Sequence, residues 1–307
     1  MSFSQETKNE LSRLIAEKEC CKKAELAALI RSAGMLQIKS RGQVALHIVT
    51  ENSAVARKIF FFLKKIFFLQ PEVMVRRNSR LKKNNTYLIR ILRKEQLQLI
   101  FDSLGMTLFS YKIPESLVAQ DCCAYAYLRG SFLGGGSLND PSGKDYHFEL
   151  VTDDEGYSHE IVKLLERFGV KSSIHQRKQK AVIYVKEADQ IVELLHLMGA
   201  HKALMDFENV RIVKSLKNRV NRLVNCETAN LEKTVTAAMR QVEIIQTIQS
   251  KMDLKCLPKS LAQLAELRLN YPEASFKELG EMMTPAVSKS GVNYRMRKLE
   301  GIAKEIR

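Results

Sequence analysis

Four unconnected features of this 307-residue chain recur at one interval, and that repetition limits what it can fold into more than any local pattern does. Gly34 closes the apolar run Leu26-Ala27-Ala28-Leu29-Ile30-Arg31-Ser32-Ala33, and Gly136 closes a similar run from Leu128, 102 positions later. The doublet Cys20-Cys21 returns as Cys122-Cys123, and Val49-Thr50-Glu51-Asn52 returns as Val151-Thr152-Asp153-Asp154. Phe62, Leu63 and Ile66 return as Leu164, Leu165 and Phe168 at the same offset. Further on the offset drops to 94, with Leu88-Ile89 meeting Val182-Ile183 and Leu104-Gly105 meeting Met198-Gly199. The first copy therefore carries eight additional residues, expected around 68–84. Such self-similarity means two copies of one unit, each about half a domain, stacked to bury a shared core. Each copy reads helix–strand–strand–helix–strand–strand–helix, so the fold class is α+β.

The second copy ends its first helix in Gly134, Gly135 and Gly136. Glycine costs about 0.5–1 kcal/mol inside a helix, so three in a row need a reason. A dinucleotide-binding loop would follow a strand and open a helix, whereas these glycines close one. Close packing of this helix against its twin is the better account.

In chain order, residues 4–17 are expected to form a helix capped by Ser4, and 24–35 the first glycine-ended helix. A hairpin turning at Arg41-Gly42 follows, then a helix opened by Asn52-Ser53. Strands over 73–77 and 86–92 flank a basic turn, and 94–103 is helical. The second copy uses the same order. A basic segment (Arg211, Lys214, Lys217, Arg219 and Arg222) precedes a helix expected over 228–251, with Leu231, Val235, Ala238, Val242 and Ile245 as its apolar stripe. Domains are expected at 1–106 (first repeat with its N-terminal helix), 107–220 (second repeat), 221–257 (helical linker) and 258–307 (a small helical domain).

In that last domain Ser260, Ser275 and Ser288 are candidate caps, and Tyr271-Pro272 and Thr284-Pro285 are breaks. Short helix, turn, then a longer basic helix is the helix-turn-helix pattern, whose second helix enters the major groove. Val292, Met296 and Leu299 face the core at helical spacing. Ser288, Lys289, Ser290, Asn293 and Tyr294 are left toward DNA, with Arg295, Arg297 and Lys298 on phosphates. The formal net charge is +15 with a pI of about 9.5, which favours nucleic acid as partner. A second candidate contact is the basic turn holding Arg76, Arg77, Arg80, Lys82 and Lys83, against the plainer reading of a solvated loop. Such residues set affinity rather than sequence choice.

No apolar run reaches membrane-spanning length, and the polar start lacks a signal-peptide core; a cytoplasmic, nucleoid-associated protein with reduced cysteines is expected. The cysteine doublets lack the two-residue spacing of zinc ligands and are read as small residues at equivalent repeat positions. No metal and no cofactor are expected. The histidines form no close pair on a helix face. Asp153, Asp154 and Glu155 fall where a helix cap is expected.

The runs Leu26–Gly34 and Leu128–Gly136 resemble the paired motif helices of LAGLIDADG homing endonucleases. That resemblance implies a pseudo-twofold αββαββα pair whose saddle-shaped sheets grip DNA. The family's catalytic acid is the eighth motif residue, which here is Ala33 in one copy and Gly135 in the other. Neither offers an oxygen to a divalent metal, so no catalytic residue is assigned. A degenerate pair followed by a helix-turn-helix is similar to the WhiA family. The similarity rests on Leu128-Arg129-Gly130-Ser131-Phe132-Leu133, on Asn221-Arg222-Leu223-Val224-Asn225-Cys226 with Asn230, and on Ser288-Lys289-Ser290-Gly291-Val292 with Arg295. It implies a non-enzymatic, sequence-specific regulator that binds double-stranded DNA and serves cell division and chromosome segregation, or sporulation in actinobacterial members. Another regulator or RNA polymerase is a further candidate partner, and a monomer is expected because the repeat is internal. Two alternatives stay open: an active endonuclease using acids outside the motif, such as Asp121 or Asp140, and a protein-interaction scaffold.

Overall fold

A computed structural model describes residues 1–38, 44–77, 85–107 and 110–306, and these form two compact units, 1–214 and 215–307. The expected turn at Arg41-Gly42 lies outside the described residues.

In the first unit, α1 (Phe3–Arg13) precedes the first repeat. That repeat comprises α2 (Glu19–Ala33), β1 (Gly34–Ile38), β2 (Val44–Thr50), α3 (Ser53–Phe67), β3 (Glu72–Arg77), β4 (Asn85–Ile91) and α4 (Lys94–Ser103). A short helix, α5 (Glu115–Val118), leads to the second repeat. It comprises α6 (Asp121–Gly135), β5 (Gly136–Leu138), β6 (Phe148–Thr152), α7 (Glu155–Glu166), β7 (Ser173–Arg177), β8 (Lys180–Val185) and α8 (Ala188–Met198). Both sheets are antiparallel, ordered β1-β2-β4-β3 and β5-β6-β8-β7. The αββαββα pair expected from the resemblance is the observed architecture.

Strand alternation puts Leu46, Ile48, Ile89 and Ile91 of one sheet, and Phe148, Leu150, Ile183 and Val185 of the other, into a common core with the helices. Residues two apart share a face, so the opposite face of each sheet stays open. Val73 pairs with Ile89 and Ile174 with Ile183, which places seven of the eight surplus residues inside the β3–β4 hairpin.

Local caps explain several boundaries. Asn52 Oδ1 accepts from Ala54 N and Val55 N to open α3, and Asp154 accepts from Tyr157 N at 2.8 Å to open α7. Asp153 makes an exposed ion pair with Lys180 at 3.0 Å. The first helix is capped by Ser2, not Ser4; the Ser4 hydroxyl instead accepts from Leu138 N in the second repeat. The first glycine-ended helix runs from Glu19 to Ala33, beginning five residues before the expected 24 and about two turns before its apolar run at Leu26.

The helix–helix seam is closer at Gly130 than along the glycine triplet. A Cβ on Gly130 would lie 2.3 Å from the backbone oxygen of Glu25. One on Gly134 would meet Ser32 Cβ of α2 at 2.7 Å, whereas one on Gly135 would most closely meet the Val151 carbonyl of its own repeat, at 2.6 Å. Replacing Gly130 by alanine adds up to about 1 kcal/mol of helix propensity, but it drives a methyl into a backbone carbonyl that no side-chain motion relieves. Overpacking of this kind costs about 1–3 kcal/mol, so Gly130→Ala is expected to lower stability in denaturant titration. Gly301, where a Cβ would meet nothing within 4 Å, is the control: Gly301→Ala should be neutral or stabilising. Equal tolerance at both positions would contradict a tight seam.

Helix α9 (His201–Lys251) begins in the first unit and supplies the start of the second. The expected start at 228 is therefore corrected: the basic segment and the amphipathic stripe lie on one helix. No glycine or proline occurs between 201 and 251, so nothing interrupts it. Only the end of the stripe is used, with Ile245 fully buried while Leu231 and Val235 are exposed. The N-terminus of α9 is capped from a distance, Glu10 accepting from Lys202 N at 2.7 Å and Ala203 N at 3.0 Å.

After a 3-10 turn at Leu254–Cys256 come α10 (Lys259–Asn270), α11 (Phe276–Met282) and α12 (Lys289–Glu305). Pro258, not Ser260, stands at the N-cap of α10, consistent with the fixed φ of proline at helix starts. Ser275 forms a capping box with Glu278. Leu261, Leu264, Leu279, Met283, Val292, Met296 and Leu299 join Ile245 and Ile248 in a separate small core.

Candidate nucleic-acid interface

The three-helix arrangement is held at two points. The buried Arg268 of α10 donates to Pro272 O at 3.2 Å and Ala274 O at 2.6 Å, and its guanidinium lies over the Phe276 ring at 5.6 Å. Burial lowers its pKa from the usual arginine value, and the two carbonyls meet the charge in place of a carboxylate. At the second point Val287 N donates to Gly280 O at 2.9 Å, and a Cβ on Gly280 would lie 2.1 Å from Val287 O. Helix α11 and the turn before α12 touch there backbone to backbone. Sequence reading did not single out Arg268; an arginine on the Leu261–Leu264 side of α10 was the available signal.

These contacts set which face of α12 is free. Val292, Met296 and Leu299 are buried, as their spacing predicts. Lys289, Ser290, Asn293, Tyr294, Arg297 and Lys298 are exposed. Ser288 is exposed as well, but its hydroxyl accepts from Gly291 N at 3.4 Å as the N-cap and meets Ser290 Oγ at 2.9 Å. Lys298 Nζ stands 4.8 Å over the Tyr294 ring. Arg295 departs from the expected row: it is half-buried and donates to Met283 Sδ at 3.2 Å. The helix therefore presents a polar N-terminal row and, one turn on, a basic pair, the layout that a groove-reading helix uses for bases and phosphates respectively.

In the repeat unit, Arg76 and Arg77 are exposed at the end of β3, paired with Thr86 and Asn85. Alternation sends them to opposite faces, so they do not act as one cluster. Arg80, Lys82 and Lys83 lie outside the described residues. On the open face of the first sheet Arg76 lines a groove with Gln37, His47, Met74, Thr86 and Arg90. Of these, sequence reading found only Arg76, since the others come from four strands and meet through register alone. The second sheet repeats Arg76 as Arg177 but carries Glu149 where the first has His47. Glu149 is bound to His147 Nε2 at 2.5 Å. The two open faces thus differ in charge.

Ala33 and Gly135 close α2 and α6. The alternative acids do not gather there. Asp121 opens the helix that Gly135 closes, about 21 Å away at 1.5 Å per residue, and is ion-paired with Arg167. Asp140 accepts from Ser142 N at 2.8 Å and Ser142 Oγ at 2.5 Å within its own loop, bonds that hold its pKa below the usual carboxylate value. The His196 and His201 rings meet edge-on at 6.2 Å across the α8–α9 turn, on two different helices and not on one helix face.

Comparison with known proteins covers both units. Family models described as the WhiA N-terminal LAGLIDADG-like domain, the WhiA LAGLIDADG-like domain and the WhiA C-terminal HTH domain match residues 19–106, 124–217 and 220–303. A protein of Desulforamulus reducens named probable cell division protein WhiA is 52% identical over 312 residues, covering 100% of this chain and 97% of its own. The one so named from Heliobacterium modesticaldum is 50% identical over 307 residues, covering 99% and 96%. The full-length DUF199/WhiA crystal structure from Thermatoga maritima superposes with a TM-score of 0.60 at 24% identity, covering 100% of this chain and 99% of that one.

Proposed function

Given that this chain belongs to the WhiA family, we propose that it is a non-enzymatic, sequence-specific DNA-binding regulator acting in cell division and chromosome segregation, in the cytoplasm and at the nucleoid. The observation that carries this reading is α12: a core-anchored helix whose exposed N-terminal row, Lys289, Ser290, Asn293 and Tyr294, is free of partners outside its own helix among the described contacts. Lys289, Ser290, Asn293 and Tyr294 read base edges, and Arg297 and Lys298 hold phosphates. Ser288 serves the helix start, and Arg295 braces α12 against Met283. In the repeat unit Arg76, with His47 and Arg90, adds sequence-independent affinity. The motif positions of the acids, Ala33 and Gly135, supply no carboxylate, which favours binding without cleavage. RNA polymerase or another regulator is the kind of partner such a protein recruits. Two modules on one chain raise effective concentration on adjoining sites.

Selection of random double-stranded DNA by the full chain should enrich one motif, and the same DNA incubated with Mg²⁺ or Mn²⁺ should stay intact. Enrichment of no motif would defeat sequence-specific binding; metal-dependent cleavage at the enriched site would defeat the non-enzymatic reading.

A further inference from the structure

The two cysteine doublets were expected to be small residues at matching repeat positions, and packing accounts for only half of them. Each doublet sits in the first turn of its helix, α2 or α6. Cys21 meets Cys123 at one end of the pair and Ser32 meets Gly134 at the other, so the helices run side by side in the same direction and both doublets come together. Cys21 and Cys123 are buried, where any small apolar residue would serve. Cys20 is exposed and Cys122 half-exposed, where core packing gives no reason for a thiol in either copy.

The sulfur geometry supplies a reason. Cys21 Sγ and Cys123 Sγ are 3.8 Å apart, and the sulfurs of Cys20, Cys21 and Cys123 all lie within 4.8 Å of one another. A zinc ion bound at about 2.3 Å by four thiolates sets neighbouring sulfurs about 3.8 Å apart. Cys122, the twin of Cys20, interacts with the Cys21 thiol and donates to Gln120 Oε1 at 3.6 Å from the rim of the cluster. The spacing argument against zinc applied to each doublet alone; across the seam the four sulfurs come as two from each helix. Both helix N-termini point their partial positive charge at these sulfurs, while burial pushes the Cys21 thiol up to about 11 and the Cys123 thiol higher still, so in the absence of metal the buried pair holds its protons and gives them up only as metal–sulfur bonds form. Among the described residues this is the one cluster of three or more potential metal ligands. It lies at the end of the helices opposite Ala33 and Gly135.

We propose that Cys20, Cys21, Cys122 and Cys123 form a four-thiolate site for one thiophilic divalent cation, Zn²⁺ by its ligand set, which clips the two repeats together at the open end of their seam. Binding releases the thiol protons to solvent as the metal–sulfur bonds form. Cys122 turns from Gln120 toward the cluster to complete the set.

The test uses the full chain, kept reduced with a phosphine, stripped with a chelator and titrated with Co²⁺ as the spectroscopic probe. The expected result is a thiolate-to-cobalt charge-transfer band that saturates at one Co²⁺ per chain and is bleached by Zn²⁺. Cys226→Ser with Cys256→Ser, both at exposed positions outside the cluster, should keep the band. Cys20→Ser with Cys122→Ser leaves the buried pair in place and should lose it, with an unchanged circular dichroism spectrum. Zn²⁺ should raise the unfolding temperature of the wild type and not of that double variant. Absence of the band in the wild type, or its survival in Cys20→Ser/Cys122→Ser, would overturn the proposal.

Discussion

Replacing Glu25 by glutamine is expected to destabilise the repeat unit by about 3–5 kcal/mol, the cost of leaving buried charges unpaired. Glu25 is fully buried on α2 and ion-paired with two cations, Lys58 of α3 and Arg129 of α6, the latter at 2.9 Å. Lys58 Nζ also donates to Leu11 O at 2.8 Å and Leu14 O at 2.7 Å at the end of α1, and Arg129 Nη1 to Met198 O at 3.1 Å at the end of α8. One carboxylate therefore balances two charges that join five helices. Desolvation pulls the Lys58 pKa down to about 8, with Glu25 opposing the fall and Arg129 adding to it.

The sign of the pH dependence follows. Lys58 binds its proton less tightly folded than unfolded, so its burial cost is present in full below pH 8 and disappears as pH rises toward the unfolded value of 10.5. Without Glu25 the Lys58 pKa falls below its wild-type value of about 8, so the variant sheds that proton first. The deficit of Glu25→Gln relative to wild type should accordingly be largest at low pH, shrink as pH rises toward about 8 and level off above it, leaving the part due to Arg129. Urea titrations across that range measure it; a deficit below about 1 kcal/mol at neutral pH would sink the argument. Replacing all three residues by methionine should recover most of the loss, since an apolar trio of similar volume is often neutral or stabilising.

The second large effect is on DNA. Asn293→Ala is expected to weaken binding to the selected motif by about 1–3 kcal/mol, roughly 5- to 150-fold, and to relax preference at one base position. Arg297→Ala should weaken binding evenly across sequences and reduce the salt slope by about one. Titrations of matched and scrambled duplexes over a range of salt separate the two. If Asn293→Ala lowered affinity for both duplexes alike, its assignment to base reading would fail. Ser288→Ala should act differently again, through loss of a cap worth about 1 kcal/mol of helix stability.

The αββαββα pair was legible because a repeat at fixed spacing needs no knowledge of contacts, and because capping is local: Asn52, Asp154, Ser275 and Ser288 each open a helix where sequence reading placed one. The exposed face of α12 was legible from Val292, Met296 and Leu299 alone. The start of α9 lies at His201 and not at the expected 228, in keeping with the absence of glycine and proline from 201 to 251. Ser2 and Ser4 compete for one cap, and only the tertiary position of Leu138 N gives Ser4 other work. On the first sheet, Gln37, His47 and Arg90 were missed because neighbours across strands depend on register, which no single strand encodes.

The sequence by itself determined the twofold repetition, the order of elements, the missing motif carboxylates and the helix-turn-helix. Each of these is a matter of periodicity, spacing or residue type along the chain. Only the tertiary structure decided what the seam between α2 and α6 brings together. It seats Gly130 against the Glu25 backbone, Glu25 between Lys58 and Arg129, and Cys21 against Cys123. These partners stand far apart in sequence, and no local preference specifies their meeting. It follows from two helices approaching closely enough for backbone to touch backbone, which sets which side chains share the space that remains.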